Sequence, residues 1–253
     1  MSSARDHYRD HLGPIYSWML GDRAAVQEAA RAELGELGIA PAAGGLAIDL
    51  GTGPGVHAVP LADLGHSVVA IDGDEGLLTE LAKVAGSRPI RTVVSDLVRF
   101  RDHCPDPAGL IVCMGDTLTH LASLEAVEDL LREVALSLEP GGTFVATFRD
   151  YTGTPPAGAA RFIPVKSDET RILTCLLEYG DTTVTVSDLL YTKEPSGWRL
   201  SVSSYPKLRL DPSWAAGRLA RLGLDTQTMP GRRGMVALIA RKPRQVHKLR
   251  LGN

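Results

Sequence analysis

Seven consecutive residues, Asp49-Leu50-Gly51-Thr52-Gly53-Pro54-Gly55, combine a carboxylate with three alternating glycines. Glycines are needed where backbone turns tightly or lets a ligand approach. A carboxylate just before them can stabilise a cation or hold the loop's amides. Asp72 follows about twenty residues past the first glycine, where a carboxylate can accept both hydroxyls of a ribose. Asp96 can accept an exocyclic amine of adenine, with Leu97 against the ring. The same two aspartates also suit helix caps. Further on, Cys113-Met114-Gly115-Asp116-Thr117-Leu118-Thr119-His120 and Arg149-Asp150-Tyr151 place polar groups after apolar runs. His120 reads as a helix-start residue or a base.

The glycine spacing narrows the ligand. A dinucleotide loop needs G-x-G-x-x-G, and Val56 stands where its last glycine belongs. A phosphate loop needs a closing Gly-Lys-Ser/Thr, which is missing here.

These residues need rigid elements to position them, and the pattern supplies them. Apolar runs at Leu46–Leu50, Ser67–Ile71, Ile90–Val94, Leu110–Met114 and Thr143–Phe148 read as strands. Helical periodicity at 56–64, 75–85 and 124–138 alternates with them, and 23–37 reads as a helix before them. Such alternation predicts βαβ units and a parallel sheet, with each acid at a strand's C-terminal end. A turn is expected at Glu139-Pro140-Gly141-Gly142. After Phe148 the pattern changes: a Gly/Pro loop through Gly158, then β-rich runs at 171–178, 182–191 and 198–205. These predict a small antiparallel sheet inserted before a last helix at 213–222 and a strand pair at 224–229 and 235–240. The expected division is an N-terminal helical arm or lid (1–40), a core (41–150), a β insert covering the substrate (151–210), the end of the core (211–240) and a basic tail (241–253).

The Asp49–Gly55 stretch resembles motif I of the class I methyltransferases, which bind S-adenosylmethionine in a Rossmann-like fold with helices on both faces of the sheet. The Cys113–Leu121 stretch resembles the cysteine-leucine-glycine-asparagine-serine segment of the glycine N-methyltransferases. Ile15-Tyr16-Ser17-Trp18-Met19-Leu20-Gly21-Asp22 resembles that family's arm. Arg149-Asp150-Tyr151 resembles its Arg-Asn-Tyr, and Ser204-Tyr205-Pro206 the Tyr-Pro closing its insert. The resemblance spans about residues 8–240. It implies that Tyr16, Asp49, Gly51, Gly53, Gly55, Asp72, Asp96, Leu97 and Met114 hold the cofactor. Arg149 then takes a substrate carboxylate. Asp116, in place of the family asparagine, meets the substrate amine and can take its proton. Tyr8 and Tyr205 line the pocket beside the amine or methyl group, with Tyr191 a further candidate.

The expected activity is methyl transfer from S-adenosylmethionine to the amine of a small molecule, an amino acid or a related carboxylate-bearing amine, leaving S-adenosylhomocysteine. An O-methyltransferase and a sugar-amine N-methyltransferase are the alternatives within the fold. A non-catalytic binder of S-adenosylmethionine is the alternative outside catalysis. No metal is required, and no ligand cluster for one is visible in the sequence.

With 253 residues, the chain has room for one large domain or a domain with an insert. A net charge of −3 gives no reason to expect nucleic acid as partner. Three widely spaced cysteines point to neither a disulfide framework nor a zinc site. No signal-peptide core or bilayer-length apolar run stands out, so a cytoplasmic protein without membrane partners is expected. Resemblance to a tetrameric family suggests a homo-oligomer.

Overall fold

The structure is a computed structural model that describes residues 4–42 and 44–244. Most of the expected basic tail, 245–253, lies outside the described residues. The arm comprises α1 (Ala4–His7), a π-helical turn (Tyr8–Leu12) and α2 (Gly13–Leu20). It leads into α3 (Arg23–Glu36), which starts where Asp22 accepts the Ala25 amide at 2.7 Å. That side chain satisfies one of the amides that a helix start leaves without a partner.

The core alternates β1 (Leu46–Leu50), α4 (Ala58–Asp63), β2 (Ser67–Asp72), α5 (Glu75–Ala85), β3 (Ile90–Val94), β4 (Ala108–Cys113), α6 (Leu124–Ser137) and β5 (Leu138–Phe148). Next come β6 (Phe162–Ser167), β7 (Arg171–Tyr179), β8 (Thr183–Glu194) and β9 (Gly197–Leu208). The chain closes with α7 (Pro212–Arg221), β10 (Asp225–Pro230) and β11 (Val236–Arg241). The main sheet has the order β10-β11-β5-β4-β1-β2-β3. Its first five strands pair in parallel, and β11 and β10 run antiparallel at the far edge.

Apolar side chains cover both faces of that sheet. Ile48, Leu50, Ile71 and Phe144 pack with Val127, Leu130 and Leu131 of α6 on one face. Ala47, Val68, Val112 and Val145 pack with Leu34, Val59 and Leu81 on the other. Two covered faces explain why these strands read as continuous apolar runs. Each fully buried leucine or isoleucine contributes about 1.5–3 kcal/mol. Because chain order reverses between β4 and β2, with β1 between them, a crevice opens at the strands' C-terminal ends.

Three details differ from the sequence expectations. The helix expected at 56–64 runs only from Ala58 to Asp63, because residues 51–57 are spent in turns. The turn expected at 139–142 falls inside β5, where the pairing with β4 shifts register. The insert has four strands rather than three, in the order β6-β7-β8-β9. β6 escapes a sequence reading because Pro164 interrupts it and it is an edge strand, where proline is tolerated.

Candidate active site

A cavity of about 1200 Å³ fills the crevice. The arm, the strand ends, the insert and the loop at 232–235 all line it. One half holds the residues expected to bind a nucleoside. Gly51, Gly53, Asp72, Asp96, Leu97, Met114 and Tyr16 all border it. Gly53 has φ +53°, and a Cβ there would meet no protein atom within 4 Å. Asp72 accepts the Gly53 amide at 2.8 Å and the Asp74 amide at 2.9 Å, one on each oxygen. The Gly73 amide also hydrogen-bonds this carboxylate, so of its about four lone-pair sites about one remains for a ribose. Asp96 accepts the Val98 amide at 3.0 Å and caps a short helix while still bordering the cavity.

Two expected residues support this half without lining the main cavity. Asp49 is fully buried, accepts the Thr52 hydroxyl at 2.7 Å, and its carboxyl is pushed up by burial. It holds the loop through Thr52 and the Ala58 amide. At Gly55 a Cβ would stand 2.3 Å from Leu81 Cδ1, and φ is +86°. Its glycine therefore serves loop-to-helix packing.

The other half is built on Asp116, which follows β4 at φ +80°. Left-handed backbone at a residue other than glycine is strained and clusters at functional sites. Its carboxylate faces four polar groups. The Arg149 amide donates to Oδ1 at 2.9 Å, and the Thr119 hydroxyl at 3.1 Å is shared with the Asp116 carbonyl. Lys207 Nζ donates to Oδ2 at 2.6 Å and the Tyr151 hydroxyl at 3.3 Å. Burial alone would raise the Asp116 carboxyl, but Lys207 and the other partners hold it below its ordinary value. The reverse holds for Lys207: burial favours the neutral amine, and Asp116 keeps it an ammonium. Asp116, expected to meet a substrate ammonium or take its proton, borders the cavity with its carboxylate turned to these protein groups. Its acceptor sites are occupied within the protein, and it is a poor base.

Tyr8, Tyr205 and His120 wall this half with ring centroids 5.5–6.3 Å apart. Burial drives both tyrosines well above their ordinary value, so they remain phenols. Burial, with Lys207 adding, lowers His120 to about 3, and its Nε2 has no partner. His120 is thus a neutral ring turned to the cavity. Arg149 reaches the rim, exposed, with Nη1 donating to the Arg233 carbonyl at 2.9 Å. Tyr191 is a correction to the sequence expectation. It neighbours Leu190 on β8 and points to the opposite face from Asp188, away from the cavity.

Sequence reasoning missed Lys207, His7 and Asp188. Lys207 shares a strand face with Tyr205 by two-residue alternation, a signal that could have found it. His7 bridges the Asp188 carboxylate and the Ser203 hydroxyl, each at 2.8 Å, and stacks on Tyr205. Among the described residues no group of three or more His, Cys, Asp or Glu could hold a metal.

Residues 47–142, which contain the glycine loop, Asp72, Asp96 and Asp116, match the family described as a methyltransferase domain. That segment is similar to methyltransferase domains. Over a longer stretch of 161 residues, the chain is 34% identical to the cypemycin N-terminal methyltransferase of a Streptomyces species. That match covers 57% of this chain and 64% of the relative. It is 29% identical over 106 residues to a glycine/sarcosine N-methyltransferase of Aphanothece halophytica, covering 41% of this chain and 40% of the relative. The chain thus spans less than two thirds of either curated relative. The methyltransferase fold extends further: the CcbJ methyltransferase of Streptomyces caelestis superposes with a TM-score of 0.74 at 21% identity, over 93% of this chain and 98% of that one.

Proposed function

We propose that the chain is an S-adenosylmethionine-dependent N-methyltransferase acting on the amine of a small molecule. The carrying observation is one cavity with two chemically distinct halves. A glycine-and-aspartate half fits a nucleoside, and a half of phenols, a neutral imidazole and an ammonium faces it. Gly53 leaves backbone space for a ligand, and Asp72 keeps a free acceptor site. These features fit S-adenosylmethionine, which when bound would supply an already activated methyl group. Gly53, Asp72, Asp96, Leu97, Met114 and Tyr16 would hold it.

This chain's own work is then placement and exclusion of water. Tyr8 and Tyr205 offer hydroxyl oxygens to an amine N–H, and the unpartnered Nε2 of His120 offers another acceptor. An amine arrives neutral, having lost its proton to water, because Asp116 is held below its ordinary value beside Lys207 and burial lowers His120 to about 3. Arg149 and Arg233 at the rim suit a carboxylate or other anionic part of the acceptor. The volume exceeds the 300–1000 Å³ typical of ligand pockets, which favours an acceptor larger than a free amino acid beside the cofactor. The two curated relatives, named for glycine/sarcosine and for a cypemycin N-terminus, both carry the N-methyltransferase reading.

The test is release of S-adenosylhomocysteine by purified protein given S-adenosylmethionine and a panel of amines, amino acids, peptides, amino sugars and phenols. Turnover with amines only is expected. Turnover confined to phenols would keep the fold and overturn the nitrogen acceptor. Absence of S-adenosylhomocysteine binding would overturn the reading altogether.

A further inference from the structure

The acceptor half contains one buried cation, and most of its donor capacity is unspent. Lys207 is 12% exposed and borders the cavity from β9. An ammonium has three N–H donors. Among the described residues it makes one hydrogen bond, to Asp116. The Tyr205 ring, 5.8 Å from Nζ, flanks it without accepting a conventional hydrogen bond. Its strand neighbours Tyr205 and Pro206 also border the cavity, so the ammonium stands in the wall and not behind it. Asp116 does not compete for a ligand's positive charge, since its carboxylate is filled by Arg149, Thr119, Tyr151 and Lys207 itself.

Resting on the methyltransferase reading above, we propose that Lys207 anchors the acceptor. Its remaining donors take a carbonyl or carboxylate oxygen, so the acceptor is an amine that carries an acyl group. Asp116 then serves as the positioning residue that fixes the ammonium in the wall. A charged donor with little water around it pairs best with a strong acceptor. Acyl oxygens meet that need better than a sugar hydroxyl does. An amide carbonyl suffices, so a free carboxylate is not required, and the amino end of a peptide qualifies. Arg149, exposed and shared with the Arg233 carbonyl, contacts only the outer part of a long acceptor.

The experiment compares wild type with the double variant Lys207→Met/Asp116→Asn, which removes both charges together. Calorimetric titration with S-adenosylhomocysteine comes first. Failure of wild type to bind it overturns the methyltransferase reading, separately from the anchor. Next, kcat/KM with S-adenosylmethionine is measured for L-alaninamide, L-alanyl-L-alanine, isopropylamine and glucosamine. Where turnover is too slow, calorimetric binding of the same compounds to the S-adenosylhomocysteine complex replaces it. Wild type is expected to prefer the two acyl amines over isopropylamine and glucosamine by at least about tenfold. The double variant is expected to lose that preference while binding S-adenosylhomocysteine within about threefold of wild type. Should the double variant not fold, the wild-type comparison decides alone. Equal use of isopropylamine, use of glucosamine alone, absence of any acyl-amine binding, or a preference that survives in the double variant overturns the anchor.

Discussion

At the residue scale the site turns on a buried ion pair and a silent histidine. Removing one member of a buried pair leaves an uncompensated charge, at a cost of about 3–5 kcal/mol. Asp116→Asn alone is therefore expected to lower the urea-unfolding free energy by that much. The Lys207→Met/Asp116→Asn double variant should recover most of the loss. The lowered Asp116 carboxyl contributes stability above the ordinary aspartate range, lost as pH falls through its folded value. The raised Lys207 contributes stability below the ordinary lysine range, lost as pH rises through its folded value. Between those limits the pair's contribution is flat. His120 adds a slope of its own at mild acid. At about 3 in the fold against an ordinary 6.5, it binds more proton when unfolded. Stability therefore falls as pH drops below 6.5, by up to about 1.4 kcal/mol per pH unit. Urea unfolding of wild type and His120→Gln at pH 7 and pH 5 checks this: the variant should lose less. Equal losses would remove His120 from the acid limb. Asp72 and Asp96 were legible in the sequence because each sits just past a strand end. Lys207 and His7 were not, since their partners lie 91 and 181 residues away in the chain.

Elements decide which glycine serves which purpose. Gly53 and Gly55 look equivalent in the sequence, yet one faces the cavity and the other the Leu81 side chain. Both have positive φ, which costs a β-carbon about 1–2 kcal/mol. Gly55→Ala adds an overpacking cost of about 1–3 kcal/mol, so its main effect should be on stability. Gly53→Ala should lose the smaller stability increment and weaken S-adenosylhomocysteine binding instead. Urea unfolding together with calorimetric titration of both variants separates the two roles, and a larger binding loss at Gly55 would reverse the assignment. The arm and the insert form a second joint. Leu12 and Ile15 pack on Leu173 and Leu190, Trp18 donates to Asp168 at 2.5 Å, and His7 reaches Asp188. In His7→Ala the Asp188 carboxylate loses a buried partner, keeping the Cys175 thiol at 2.6 Å. Faster amide exchange across residues 4–20, with the main sheet unchanged, is the expected result. The alternating strands and helices were legible because the central apolar runs of β1, β2 and β4 are covered on both faces. The insert's first strand was not, because Pro164 and half-exposed positions at an edge blur its pattern.

At the scale of the whole molecule, the cavity wall is gathered from residues 8 to 235, so no single segment carries a complete site. The strand order that gathers it rests on pairings between distant segments, which local periodicity does not encode. Tyr8, Gly53, Asp116, Tyr205 and Met235 can border one cavity only when arm, sheet and insert are all docked. A ligand that needs this assembly binds the native state alone and stabilises it by mass action. At about 100 times its dissociation constant, S-adenosylhomocysteine should add about 2.7 kcal/mol. For a chain of this size that corresponds to a Tm rise of about 5–10 °C. NAD should leave Tm unchanged, because Val56 occupies the place of the third glycine of a dinucleotide loop, the one that lets helix and strand pack closely. Thermal unfolding against each ligand measures both. A rise with S-adenosylhomocysteine that grows with the logarithm of its concentration, and a flat response to NAD, is expected. The opposite pattern would mean that the glycine loop, despite its spacing, serves a dinucleotide.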